Sequence, residues 1–124
     1  MDDSKKSKPV DAYLEHGENL VAAAKLNYGS GSTGQAYLTN RRIIIFKTGS
    51  VSMRVVGDPQ REIRIDEVVG VETKKMRPVV MLGVPFFLVD VKLLDGSHLA
   101  LRTSGVGVPK LKRFADALQT AAPD

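Results

Sequence analysis

From Leu20 onward the chain alternates apolar and polar residues with a period of two, the spacing of strands that bury one face. Leu20, Ala22, Ala24, Leu26 and Tyr28 alternate, with Lys25 and Asn27 on the other face. Gly29 to Gly34 reads as a loop. Gln35 to Asn40 and Arg41 to Lys47 follow as two strands with a tight turn near Asn40-Arg41. Ile43-Ile44-Ile45-Phe46 is a continuous β-branched and aromatic run, which predicts a strand buried on both faces or at a barrel corner. Val51, Met53 and Val55 alternate again, and Gly57-Asp58-Pro59 reads as a break. Ile63 and Ile65 alternate with Glu62, Arg64 and Asp66. Val69, Val71 and Thr73 are expected on one face, opposite Glu72 and Lys74. Phe87, Val89, Val91 and Leu93 form the next face, opposite Asp90 and Lys92. Asp95-Gly96 predicts a two-residue hairpin turn from which Leu99 and Leu101 return.

Helical signals lie at the two ends. Pro9 suits a first helical turn, Tyr13 and Leu14 give a small apolar face, and Gly17 can close a short helix. Near the other end Pro109 sits at an expected N1, and Leu111, Phe114, Ala115, Leu118 and Ala122 follow at helical spacing. The spacing predicts β structure over 20–103 and one helix over 109–121 that buries Leu111, Phe114 and Leu118. About seven strands and a terminal amphipathic helix suggest a bent antiparallel sheet or an open barrel, with the helix covering one end.

Composition narrows the class. The chain has 124 residues, 43% of them hydrophobic and 26% charged, which is ordinary globular composition. Residues 1–9 are polar and read as a disordered leader; residues 10–124 read as a single domain. The absence of Cys removes disulfides, cysteine metal sites and thiol catalysis together. The formal charge is +4, and each half of the chain holds nine basic and seven acidic groups. A charge so evenly spread argues against a nucleic-acid arm. No apolar segment follows the leader as a secretory signal would require. The longest apolar stretch, Val79 to Val89, is interrupted by Gly83 and Pro85 and falls short of the roughly 20 residues of a membrane span. A soluble cytoplasmic protein is expected.

The chemistry is sparse. Gly29-Ser30-Gly31-Ser32-Thr33-Gly34 matches G-x-G-x-x-G, but a dinucleotide site needs a helix N-terminus next, and Gln35 to Thr39 reads as a strand. A flexible hairpin tip is the expectation. His16 and His98 have no partners at metal spacing, and no nucleophile elbow is present. Asp66-Glu67 suits a turn or helix start as well as an acid–base pair. No catalytic, cofactor or metal residues are expected.

Two basic clusters remain. Arg41, Arg42 and Lys47 flank one strand and are candidate anion contacts; the competing expectation is a solvated rim paired with nearby acids. Lys74, Lys75 and Arg77 lie at a strand end, and the segment Met76 to Phe87, which includes Arg77, is apolar without clean alternation and carries two prolines. Lys74, Lys75, Arg77, Val80, Leu82 and Phe86 therefore form a candidate interaction surface, unless the segment folds back as core. Lys110, Lys112 and Arg113 are expected on the wet face of the terminal helix.

Several of these runs resemble the bacterial pleckstrin-homology-like family, close to the GRAM domains. Gly17-Glu18 precedes the first strand, and Tyr37-Leu38-Thr39-Asn40-Arg41-Arg42-Ile43-Ile44-Ile45-Phe46 is similar to the family's second-and-third-strand pattern. Ile63 to Val71 resembles its following strand, turn and strand, and the helix from Pro109 also fits. The resemblance spans about residues 15–121. It implies a seven-stranded antiparallel two-sheet barrel capped by a C-terminal helix, and a binding module rather than an enzyme. Phosphoinositide-binding members carry basic residues around the first hairpin loop, whereas Asn27 to Gln35 contains no Lys or Arg. The expectation is a non-enzymatic domain acting through protein–protein contacts or self-assembly. The alternative is peripheral binding of anionic membrane lipid through Lys74, Lys75, Arg77 and the adjacent apolar loop.

Overall fold

The computed structural model describes residues 13–27, 33–48, 55–76, 86–104 and 107–121. Seven strands precede one helix: β1 (Leu20–Asn27), β2 (Thr33–Thr39), β3 (Arg42–Thr48), β4 (Val55–Arg64), β5 (Val68–Met76), β6 (Phe86–Leu93), β7 (His98–Ser104) and α1 (Val108–Ala121). A short 3-10 turn, Ile65–Glu67, joins β4 to β5. The strands form two antiparallel sheets, β1-β2-β3-β4 and β5-β6-β7. No strand pairing among the described residues joins the two sheets, so the arrangement is two sheets and a helix, not a closed barrel. The expected leader and the first part of the expected N-terminal helix lie outside the described residues, as do Gly29 to Ser32.

The main core lies between the sheets and under α1. Leu26, Leu38, Ile43, Val68, Val89, Val91 and Leu101 are buried there with Leu111, Phe114 and Leu118 of the helix. Burying an apolar side chain of this size stabilises by roughly 1.5–3 kcal/mol, so the helix is held by its stripe more than by propensity. Strand β6 shows the expected alternation without a break, Phe87, Val89, Val91 and Leu93 facing inward. Ile43 to Phe46 are all buried, as the unbroken run predicts, because β3 is sandwiched. Ile43 and Ile45 face the main core. Ile44 and Phe46 join Tyr37 in a second cluster on the opposite face, covered by Tyr13, Leu14, Leu20 and Ala23.

Four local expectations are corrected. Residues 14–19 form a turn rather than the end of a helix, although Gly17 does take the positive φ expected of it, 83°. Gly57-Asp58-Pro59 lie inside β4. That strand is at the edge of its sheet, where proline's missing N–H is tolerated, and the irregularity appears as a register shift opposite Ile45 and Lys47. Val69 is exposed while Val68 and Val71 face the core, because the pairing with β6 shifts between Val68 and Gly70. Such a bulge inverts the two-residue phase for everything before it. The β6–β7 connection is a three-residue loop: Gly96 N–H donates to Leu93 O and Leu93 N–H to Ser97 O, both at 2.9 Å. Gly96 takes the left-handed conformation, with φ 91°.

Candidate functional site

The turn between β2 and β3 is built by Thr39-Asn40-Arg41-Arg42. The Thr39 hydroxyl accepts the N–H groups of Arg41 and Arg42 at 3.0 Å each and donates to Glu18 Oε2 at 2.6 Å. Asn40 Oδ1 accepts the Asn19 N–H at 2.8 Å, and its amide donates to Gly17 O at 3.2 Å. Arg42 closes the cluster. Its Nε and Nη2 donate to the two oxygens of Glu18 at 2.8 and 2.9 Å, a bidentate pair. Its remaining donors reach Glu62 and the Tyr13 carbonyl. The turn thus clamps the chain before β1 across the outer face of the four-stranded sheet, over Ile44 and Phe46.

Glu18 is the centre of this clamp. Its side chain is 0% exposed. The Arg42 guanidinium beside it, with the Thr39 hydroxyl and the Glu15 N–H, outweighs the opposing effect of burial and lowers its pKa from 4.5 to about 2. Glu18 in turn raises the pKa of Arg42. Sequence reasoning singled out Glu18 only as a carrier of a resemblance, and Arg42 for that and as a candidate anion contact. A lone acid after Gly17, together with T-N-R-R, was the available signal; the pairing across 24 positions was not readable.

The candidate anion contacts separate in space. Arg42 is engaged by two acids and a carbonyl, and Arg41 is half-exposed and paired with Glu15 at 3.2 Å. Both follow the paired-rim expectation. Lys47 is exposed further along β3. An open cleft of about 720 Å³ lies beside Arg41 and Arg42, at the ends of β4 and α1. It brings three arginines (Arg41, Arg42, Arg64) together with three acids (Glu15, Glu62, Asp66). The balance leaves it no net charge toward a ligand, and the Arg64–Asp66 pair adds to this.

The candidate interaction surface is described in part. Arg77, Val80 and Leu82 lie outside the described residues, as does the side chain of Lys75. Lys74 is exposed and Phe86 half-buried, both on the outer face of the three-stranded sheet. The register sets Lys74, Leu88 and Arg102 in one row across β5, β6 and β7. The Arg102 guanidinium lies 3.9 Å from the Phe86 ring centroid, a cation–π contact. The next row holds Glu72, Asp90 and Ala100, and the one beyond it Gly70, Lys92 and His98. Lys92 pairs with Glu72 at 3.2 Å and His98 with Asp90 at 3.0 Å. His98 is exposed on this outer face and has a carboxylate partner that the sequence did not disclose. Leu88 and Arg102 were not singled out in the sequence, since only strand register brings them beside Lys74.

Gly34 of the glycine motif lies inside β2, and a strand follows it rather than a helix. A Cβ there would come within 3.0 Å of the Phe46 carbonyl oxygen, so strand packing explains this glycine. Among the described residues no three His, Asp or Glu side chains converge as metal ligands. No helix among them is long and apolar enough to cross a membrane. Compared with family models, with curated proteins and with solved structures, the chain matches none.

Proposed function

We propose that this chain is a non-enzymatic binding domain of pleckstrin-homology-like type whose principal contact is a second copy of itself. The fold assignment is supported by the order of elements: a four-stranded sheet, a three-stranded sheet, then a closing helix. A binding rather than catalytic role is supported by Glu18. This strongly perturbed acid is enclosed and fully hydrogen-bonded, so its perturbation is accounted for by the clamp and not by a reaction.

One observation carries self-association: the outer face of β5-β6-β7 alternates in charge along the strands. Lys74 and Arg102 form one row, Glu72 and Asp90 the next, roughly 7 Å away by strand geometry. A twofold axis running between these rows would set the basic row of each copy on the acidic row of the other, as an isologous interface requires. The existing Lys92–Glu72 and His98–Asp90 pairs are partly exposed, and pairs of this kind contribute about 0–1 kcal/mol, so exchanging partners costs little. Leu88 and Phe86 add apolar area at one end, continuous in sequence with Val80 and Leu82. An anionic membrane would meet the acidic row together with the basic one, which favours protein over lipid as the occupant.

Size exclusion coupled to light scattering tests this. Wild type should be a dimer or larger, Lys74→Glu/Arg102→Glu should be a folded monomer, and adding Glu72→Lys/Asp90→Lys to it should restore association. A monomeric wild type that co-sediments with anionic vesicles, and loses this on charge reversal at Lys74, would replace the proposal with lipid binding.

A further inference from the structure

A groove runs between β1 and the first three turns of α1. It consists of two adjoining cavities of about 230 and 340 Å³ that share Ala23 and Lys110. It is lined by small residues, Ala22, Ala23 and Ala24 of β1 and Ala117 of α1. Its walls carry Lys25, Lys110 and Arg113, all exposed. No carboxylate is among the described residues that line it, in contrast to the charge-balanced cleft beside Arg42. Val21, at one mouth, is 53% exposed although it is β-branched and apolar.

The helix start makes the field stronger. Lys110 lies in the first turn of α1 and Arg113 in the next, and no acid occupies that first turn. Cations there oppose the helix dipole, so this end is electropositive beyond its formal charges. The apolar stripe of α1 is buried in the main core with Leu26, Val89 and Leu101, whereas Lys110 and Arg113 are exposed, so core packing does not explain them.

We infer that this groove binds an acidic, extended segment of a partner polypeptide. Charge complementarity selects the acid: three cations converge on a trench with no counter-charge of its own. Shape selects an extended chain. Alanines of β1 and of α1 let a main chain approach closely, and β1 is the outermost strand of its sheet, paired among the described residues with β2 alone. The five residues from Val21 to Lys25 span about 13 Å, the length of roughly four extended residues. The exposed Val21 offers a contact for one apolar side chain among the acids. A bilayer surface, by contrast, needs a flat or protruding face and cannot enter a trench. This inference rests on the reading of the chain as a binding domain, but it uses a surface separate from Lys74 and Arg102.

The test is a nuclear magnetic resonance titration of the full chain with an acetylated hexapeptide of alternating Glu and Val. The Lys/Val counterpart and vesicles rich in phosphatidylglycerol serve as parallel probes. Saturable shifts should be confined to amides of 21–25 and 110–117. They should weaken at high salt, where the Debye length falls to about 3 Å. Lys110→Glu/Arg113→Glu should lose at least about tenfold in affinity with no lowering of its thermal midpoint, because both side chains are exposed. Lys74→Glu/Arg102→Glu should bind the hexapeptide as wild type does, whatever its oligomeric state, which separates this inference from the proposed self-association. Absence of saturable shifts, equal binding of the Lys/Val peptide, or binding that survives Lys110→Glu/Arg113→Glu would overturn it. Vesicles that shift the same amides when the peptide does not would also overturn it, in favour of a lipid site.

Discussion

Glu18→Gln is the substitution whose effect can be worked furthest from the structure. The carboxylate has a folded pKa of about 2 against an ordinary 4.5. That difference corresponds to about 3 kcal/mol of stability. Because the folded pKa is the lower one, the contribution is fully present above pH 4.5. It is lost progressively as pH falls from there toward 2. Gln keeps the shape and one acceptor but removes the charge, leaving Arg42, 15% exposed, with Glu62 as its remaining ionic partner. Removing one member of a buried pair typically costs about 3–5 kcal/mol. The retained Glu62 and the Tyr13 carbonyl argue for the lower end here, so about 2–4 kcal/mol is expected at pH 7. Urea unfolding followed by circular dichroism, at pH 7 and at steps down to pH 3, gives both curves. The variant should be much less stable at neutral pH, and the two curves should converge as acid is added. A double-mutant cycle with Arg42→Ala should show strong coupling. Parallel curves across this range, or additive effects in the cycle, would show that Glu18 and Arg42 do not act as a clamp.

Three other outcomes are expected. Phe114→Ala should destabilise by roughly 3–5 kcal/mol in urea unfolding, because the ring is 0% exposed among Leu111, Leu118 and the strands. Gly96→Ala should cost about 1–2 kcal/mol by the same measurement: its φ is 91°, yet nothing lies within 4 Å of an added Cβ, so the loss is conformational and not steric. Lys110→Glu alone should raise the thermal midpoint slightly, equivalent to about 0.3–1 kcal/mol, since it replaces a cation by an anion in the first turn of α1; a lowered midpoint would show that Lys110 has a structural partner.

Elements whose environment is uniform along their length were legible in the sequence. Strand β6 keeps one face inward throughout, so its two-residue period reads correctly from Phe87 to Leu93. Helix α1 keeps one stripe inward, so Leu111, Phe114 and Leu118 were legible as core. The unbroken run Ile43 to Phe46 announced a strand covered on both sides, and the second cluster under Tyr13 and Leu14 is the cover. Where that regularity is interrupted depends on how the strands pair and pack. A one-residue bulge turns Val69 outward, an edge position lets Pro59 remain within β4, and a separate pairing of the two sheets leaves the barrel unclosed. Charges divided in the same way. The acids and bases could be counted, but a residue's partner depends on strand register and on contacts dozens of positions apart. Arg42 meets Glu18 across 24 residues, and Lys74 shares a row with Arg102 two strands away. Ion pairing is a short-range effect in space with no fixed spacing along the chain, so its pattern exists only once the sheets have formed.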